Sequence, residues 1–324
     1  MGKWIKVALV VLISLSVAAA SAETLVINGR AVQLATLAKG GKSSPMNFAL
    51  RSAEFVAPRV RIGEETYYPK AAEKFLVLHY TLHNPQKTER SAGWDTFDIM
   101  AVDATDTNRE FSQQVGQESN SSKLDMYLKP AQKVDAYTFI VVPAQGEVPK
   151  LMIKSSDGLA LRYDLRGKVK PLPAPIADPT DTTGSSALAE VPSQTGTYYP
   201  TGLSDVRLDA ASYTNQGLHD IELSAGMRNL VLTVTVKNQS AEAQNVDWSK
   251  FNPKLRTEDG VNVAWNQEIL YSTRGDTLDT ELVPGQEIQA RFFFEVRSDT
   301  NAKTFFLTEG QEGRCYAFDL SGVR

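Results

Sequence analysis

The feature that most constrains this chain is that it contains itself twice. Residues 74–84 read Lys-Phe-Leu-Val-Leu-His-Tyr-Thr-Leu-His-Asn, and residues 228–238 read Arg-Asn-Leu-Val-Leu-Thr-Val-Thr-Val-Lys-Asn. Asn84 meets Asn238 at an offset of 154 positions. The same offset pairs Trp94 with Trp248, Phe97 with Phe251, Phe111 with Trp265, Leu128 with Leu282, Pro130 with Pro284, Gln132 with Gln286 and Phe139 with Phe293. A register held that far without an insertion marks a duplicated structural unit. Only near the ends does it slip, where Tyr163-Asp164-Leu165 matches Phe318-Asp319-Leu320 at 155 and Phe55 matches Tyr213 at 158.

Each copy reads as all-β. Leu76, Leu78, Tyr80 and Leu82 share one face of a strand, and Leu230, Leu232, Val234 and Val236 repeat it. Period-two alternation with one apolar face is the mark of a half-buried strand. A second strong strand follows at 134–142 and again at 288–296, and Asp259-Gly260 is a hairpin turn signal matched by Thr105-Asp106. Long helical periodicity is absent. Several short strands in about 120 residues predict two tandem immunoglobulin-like β-sandwich domains, at 46–168 and 201–324.

Between them, at 169–200, lies a segment rich in Pro, Ser and Gly, opening Lys170-Pro171-Leu172-Pro173-Ala174-Pro175. That composition predicts a semi-flexible linker unable to bury enough apolar surface to pack. At the other end, 23–45 carries Leu-Val-Ile-Asn-Gly-Arg-Ala-Val, whose Asn28-Gly29 predicts a small hairpin. Residues 1–22 read as a signal peptide. Lys3 and Lys6 precede an apolar run, and Ala20-Ser21-Ala22 supplies the small side chains for cleavage before Glu23. The run is shorter than the roughly 20 residues that span a bilayer. The expectation is an exported, soluble protein, periplasmic or secreted, with no membrane span after cleavage. Loss of two lysines takes the formal charge from −4 to −6. Such a balance excludes nucleic acid as the main partner, since that needs a basic surface.

The order Leu76 to Asn84, Phe97 to Asp103, Leu128-x-Pro130-x-Gln132-x-Val134 and Phe139 to Pro143 resembles a family of secreted bacterial immunoglobulin-like domains of unknown function. A mycobacterial immunogenic secreted protein has a similar fold. In the second copy the resemblance runs through Leu230 to Asn238, Leu282 to Ile288 and Phe294 to Val296. It departs at Arg297, where Pro is common, and at Ala131, where Gly is usual and Gly285 keeps it. The resemblance implies a β-sandwich, often at the bacterial surface, with no established chemistry.

Little in the sequence can support catalysis. His79 and His83 sit on one strand face about 13 Å apart at strand rise, too far to share a metal, and face solvent. His219 falls in a polar stretch with Asp220 and Glu222. Asp103 to Asn108 lacks the Gly and closing Glu of a calcium loop, so a plain turn is expected. The lone Cys315 reads as a packed thiol. Trp94 and Trp248, shared by both copies, read as core residues, and Phe97 and Phe251 likewise. In Phe292-Phe293-Phe294 the outer two face opposite to the middle one, and either left uncovered is a contact candidate. No nucleophile elbow, zinc motif or phosphate loop occurs. The sequence therefore assigns no catalytic, cofactor-binding or metal-ligating residue, no cofactor, and no numbered ligand-binding residue. It predicts a non-enzyme, an exported binding or adhesion module whose partner is an envelope protein or glycan. The alternatives are an accessory subunit of an envelope complex, to which the hairpin would donate a strand, and an uncharacterised hydrolase.

Overall fold

The computed structural model describes residues 24–27, 30–33, 35, 37–38, 46–155, 160–217 and 222–323. The signal peptide at 1–22 and His219 lie outside the described residues. In the first copy a backbone hairpin of β1 (Thr24–Ile27) and β2 (Arg30–Gln33) precedes β3 (Asn47–Val56). A short hairpin of β4 (Val60–Ile62) and β5 (Glu65–Tyr67) leads into β6 (Glu73–His83). There follow β7 (Arg90–Ala92), β8 (Asp98–Val102), β9 (Asn108–Gln117), β10 (Met126–Leu128), β11 (Lys133–Pro143), β12 (Lys150–Lys154) and β13 (Ala160–Asp164). The second copy comprises β14 (Glu190–Ser193), β15 (Tyr199–Pro200), β16 (Ser204–Thr214), β17 (Met227–Asn238), β18 (Gln244–Val246) and β19 (Lys254–Thr257). It continues with β20 (Asn262–Val263), β21 (Leu270–Tyr271), β22 (Thr280–Leu282), β23 (Glu287–Arg297), β24 (Ala302–Leu307) and β25 (Cys315–Asp319).

Each copy is a β-sandwich. One sheet of the first runs β9-β11-β6-β3 and the other β9-β8-β12-β13-β1-β2, with β9 crossing from sheet to sheet. In the second copy the sheets run β15-β16-β17-β23-β21 and β14-β25-β24-β19-β20. The duplication holds to the residue. The strands β6, β7, β10 and β11 begin 154 positions before β17, β18, β22 and β23. The alternating apolar faces fill the two cores, with Leu76, Leu78, Leu230, Leu232, Val234 and Val236 wholly buried. Phe97 sits edge-on to Phe48 at 5.2 Å, and Phe251 edge-on to Phe292 at 5.8 Å.

The family-like motifs turn out to build one hydrogen-bonded clasp, twice. Asn84, fully buried, donates from Nδ2 to the carbonyls of Leu128 (2.7 Å) and Thr88 (2.9 Å) and accepts the Gln86 N–H at Oδ1. Asn238 does the same with Leu282, Glu242 and Ser240, at 2.8, 2.8 and 2.9 Å. The turn of each Leu-x-Pro-x-Gln element closes against the same Asn backbone, Ala131 N–H to Asn84 O and Gly285 N–H to Asn238 O. That turn needs a left-handed residue, φ 61° at Ala131 and 80° at Gly285. Gly meets the demand without the Cβ penalty that Ala131 carries.

One expectation is corrected. The Pro-rich segment is not a solvated tether but a folded strap. Leu172, Ile176, Ala187 and Val191 are buried, and Lys170 exchanges backbone hydrogen bonds with Ala53 and Phe55 at the edge of β3. Leu188 N–H bonds Ile176 O, and Leu172 N–H bonds Gly184 O, so the strap folds back on itself. Its last part, β14, pairs in parallel with β25 and is a strand of the second sandwich. The composition argument fails because the few apolar residues are spaced to face a preformed surface, and Asx turns at Asp178 and Asp181 satisfy the bends. Lys74 pins the strap from below. Its buried ammonium donates to the carbonyls of Ala144, Gly146 and Ser185 and lies 4.4 Å from the Phe55 ring centroid.

Direct contacts also join the sandwiches. Arg59 donates to the carbonyls of Gly202 (3.0 Å) and Ser204 (2.7 Å) and pairs with Asp205 at 2.8 Å. Arg314, 4% exposed, donates to the carbonyls of Leu188 and Glu73. Limited proteolysis of the native protein should therefore spare residues 170–193. Lys74→Met, which removes the three donations, should bring early cuts into that segment. Early cleavage there in the wild type, giving two domain-sized fragments, would contradict the packed strap.

Candidate ligand-binding platforms

The ladder that the Asn clasp holds in place ends in an exposed indole. In the first copy β7 pairs with β10, Ala92 opposite Met126. Trp94 leaves the ladder two residues after Ala92, and Asp125 enters it one residue before Met126, so the two emerge side by side. The second copy repeats the arrangement with Val246 opposite Thr280, Trp248 following and Asp279 preceding. Trp94 is 54% exposed and Trp248 48%. The core expectation for these two residues is overturned. Phe97 and Phe251, three positions on, take the core places, at 6% and 3% exposure.

A cavity of about 270 Å³ lies beside Trp94, lined also by Ser91, Asp95, Gln113, Gln114, Lys123 and Asp125. Gln113 is reached through a bulge. Thr138 pairs with Val115 and Ile140 with Phe111, so the intervening stretch of β9 carries two extra residues. Buried Thr138 donates to the Gln114 carbonyl at 2.6 Å, which satisfies the displaced backbone. At the crest Gln113 adopts φ 57°, and Gln267, its counterpart at the 154 offset, also adopts φ 57°. A left-handed non-glycine residue costs about 1–2 kcal/mol. That cost is borne at one position in both copies, and bulges are a common means of re-aiming a side chain beside a site. Trp, Gln and Asp thus recur as Trp94, Gln113, Asp125 and Trp248, Gln267, Asp279. The Gln and Asp pairs are missing from the reading of the sequence, although the same offset that aligned the Trp pair also aligns them.

The polar groups considered for chemistry have other partners. Asp103 is a turn-builder. Its burial works to raise the carboxyl pKa, but the Thr105 hydroxyl, the Arg109 guanidinium at 2.9 Å and the N–H groups of Thr105 and Thr107 hold it down to about 2. In the second copy the Thr257 hydroxyl bonds Asp259 and the Val261 carbonyl. His79 lies between Glu118 (2.5 Å) and Glu54 (3.4 Å), while His83 lies 2.9 Å from the Asn47 amide, so each histidine has its own neighbours. Cys315 is half-buried, and burial pushes its thiol pKa up. Phe292, Phe293 and Phe294 are all under 2% exposed and offer no contact patch. Among the described residues no group of three His, Cys, Asp or Glu side chains is placed to hold a metal, and no helix is long and apolar enough to cross a membrane.

Against known proteins the second sandwich finds a family. Residues 203–311 match a domain of unknown function, DUF4352. The DUF4352 match spans Trp248, Gln267 and Asp279. Solved structures similar to the chain include an uncharacterised β-sandwich protein from Clostridium difficile 630, at 13% identity and a TM-score of 0.32, covering 41% of this chain and 96% of that one. Another is the secreted protein MPT63 of Mycobacterium tuberculosis, at 14% identity and 0.31, covering 40% and 97%. A third is the yjhA protein of Bacillus subtilis, at 12% and 0.30, covering 39% and 99%. No curated protein matches the chain.

Exposure and core placement separate cleanly on stability. Trp94→Ala and Trp248→Ala should each shift unfolding by no more than about 0.5 kcal/mol, as surface changes do. Phe97→Ala and Phe251→Ala should each cost about 3–5 kcal/mol in urea unfolding. A loss above about 2 kcal/mol in either Trp variant would return that indole to the core.

Proposed function

We propose that the chain is an exported, non-catalytic binding module that attaches to a component of the bacterial envelope through its two indole faces. The observation that carries this reading is the repetition of Trp, Gln and Asp at matched positions in both copies, with the indole exposed and the Gln backbone left-handed each time. Core residues recur because packing demands them. An exposed Trp and a left-handed Gln, kept at matched positions, have no such demand behind them. Two sites on one chain also gain by avidity, because engaging one raises the local concentration of ligand at the other. The packed strap and the Arg59 and Arg314 contacts favour this by fixing how the two sandwiches sit.

The accessory-subunit reading gives the N-terminal hairpin to a partner. Here β1 pairs within the chain, Val26 with Arg162 and Ile27 with Leu161 of β13, so that edge is already covered. Export and the envelope location rest on the leader-like sequence at 1–22.

Sedimentation with isolated envelopes tests the proposal. The mature protein should be retained, either single Trp→Ala variant should be retained less, and Trp94→Ala with Trp248→Ala together should remain in the supernatant. Full retention of a folded double variant would refute it.

A further inference from the structure

We infer that the Trp94 platform takes a carbohydrate, neutral or amine-bearing, with a sugar ring laid on the indole and its hydroxyls met by Asp125 and Gln113. This deepens the proposed binding function and rests on it. A pyranose has an apolar face of C–H groups and a rim of hydroxyls that both donate and accept. An exposed indole suits the first, because the ring face is flat and carries the negative side of its quadrupole. Carboxylates and amides suit the second, the carboxylate accepting from adjacent hydroxyls and the amide both donating and accepting.

The first copy supplies this set around a concavity rather than on a flat face. Asp95 and Asp125 are exposed, and no hydrogen bond or ion pair among the described residues holds either carboxylate. Gln113 and Gln114 line the same cavity, and among the described residues no hydrogen bond engages either side-chain amide. Across the ladder, Tyr127 stands opposite cavity-lining Ser91 and is 69% exposed, a second aromatic surface at the rim. Cross-strand partners on one face lie about 5 Å apart at Cβ, so the phenol is within reach of a ligand longer than one ring.

Charge narrows the class. The one cation lining the cavity, Lys123, is paired with Glu65 at 2.6 Å, which leaves two uncompensated carboxylates. Sulfated, phosphorylated or uronic saccharides would meet like charge, whereas an amino sugar would gain. A proline-rich peptide, the other usual occupant of an aromatic site, needs neighbouring apolar slots. The remaining apolar lining, Val115 and Leu124, is 4% and 3% exposed and offers none. The second copy keeps Trp, Gln and Asp but has Glu281 where Tyr127 stands, so the first platform has the longer aromatic surface.

The test uses the mature chain with Trp248→Phe, so that Trp94 reports against the half-buried Trp265. Its fluorescence is titrated with soluble β-linked oligosaccharides of glucose, N-acetylglucosamine and glucosamine, with a sulfated oligosaccharide of equal length, and with a polyproline peptide. At least one neutral or amine-bearing oligosaccharide should give a saturable change. That change should vanish in Trp94→Ala, and Asp125→Asn should raise Kd by about tenfold or more, as loss of a charged hydrogen-bond acceptor does. The sulfated sugar should bind more weakly. No saturable change with any of the three sugars, or a change with polyproline alone, overturns the inference. If envelope retention still depends on Trp94 in that event, only the carbohydrate assignment falls; if retention is indifferent to Trp94, the platform reading falls with it.

Discussion

A buried asparagine amide governs each half of this protein. Asn84 and Asn238 stand at the ends of the longest core strands, where a side chain must be apolar or fully satisfied, because an unpaired buried amide costs about 1–3 kcal/mol. Both are satisfied by backbone groups, and at Asn238 the Ser240 hydroxyl adds a further donation to Oδ1 at 2.8 Å. Their carbonyl partners Leu128 and Leu282 close β10 and β22, so the amide decides where the short outer ladder sits. From the open end of that ladder come Trp94 beside Asp125 and Trp248 beside Asp279. A residue with no ligand role thereby sets the spacing of those that face solvent.

The joint between the sandwiches depends on a second buried polar system. Glu309 and Lys250, each 10% exposed, pair at 2.9 Å. Burial tends to raise the Glu309 pKa, but Lys250, the Thr201 hydroxyl and the Ser204 N–H together hold it low. The carboxylate also accepts the Gly202 N–H at 2.9 Å, so the 201–204 turn is fixed from beneath. The carbonyls of that turn receive Arg59 of the first sandwich. Lys74 under the strap has its counterpart in Arg228, which stacks 3.7 Å from the Tyr213 ring centroid and donates to Thr300, the residue matching Gly146. Duplication thus reused one cation in two ways, with the strap captured only in the first copy.

The repeat made most of the fold legible. Strand alternation, the hairpin at Asp259-Gly260 and the core places of Phe97 and Phe251 all follow from side-chain period and register. Two things did not. The size of Trp94 suggests a core place, and nothing in a single sequence distinguishes an aromatic that enters the core from one that leaves a ladder three residues earlier. The composition of the Pro-rich strap measures how much apolar surface the segment has but not whether a surface awaits it. Gln113 and Gln267 were available through the 154 offset. Their left-handed backbone was not, because it arises from a bulge that only the pairing with β11 reveals in the first copy.

The central claim is that the duplicated Trp is a surface feature in both copies. Collisional quenching by acrylamide, measured on mature proteins that keep only Trp94 or only Trp248 with the other indoles replaced by Phe, reads it directly. Both should show red-shifted emission and quenching near that of a free indole in water, at unchanged unfolding midpoint. Blue-shifted, quencher-resistant emission from either one would place that indole in the sandwich and remove the basis for the platforms.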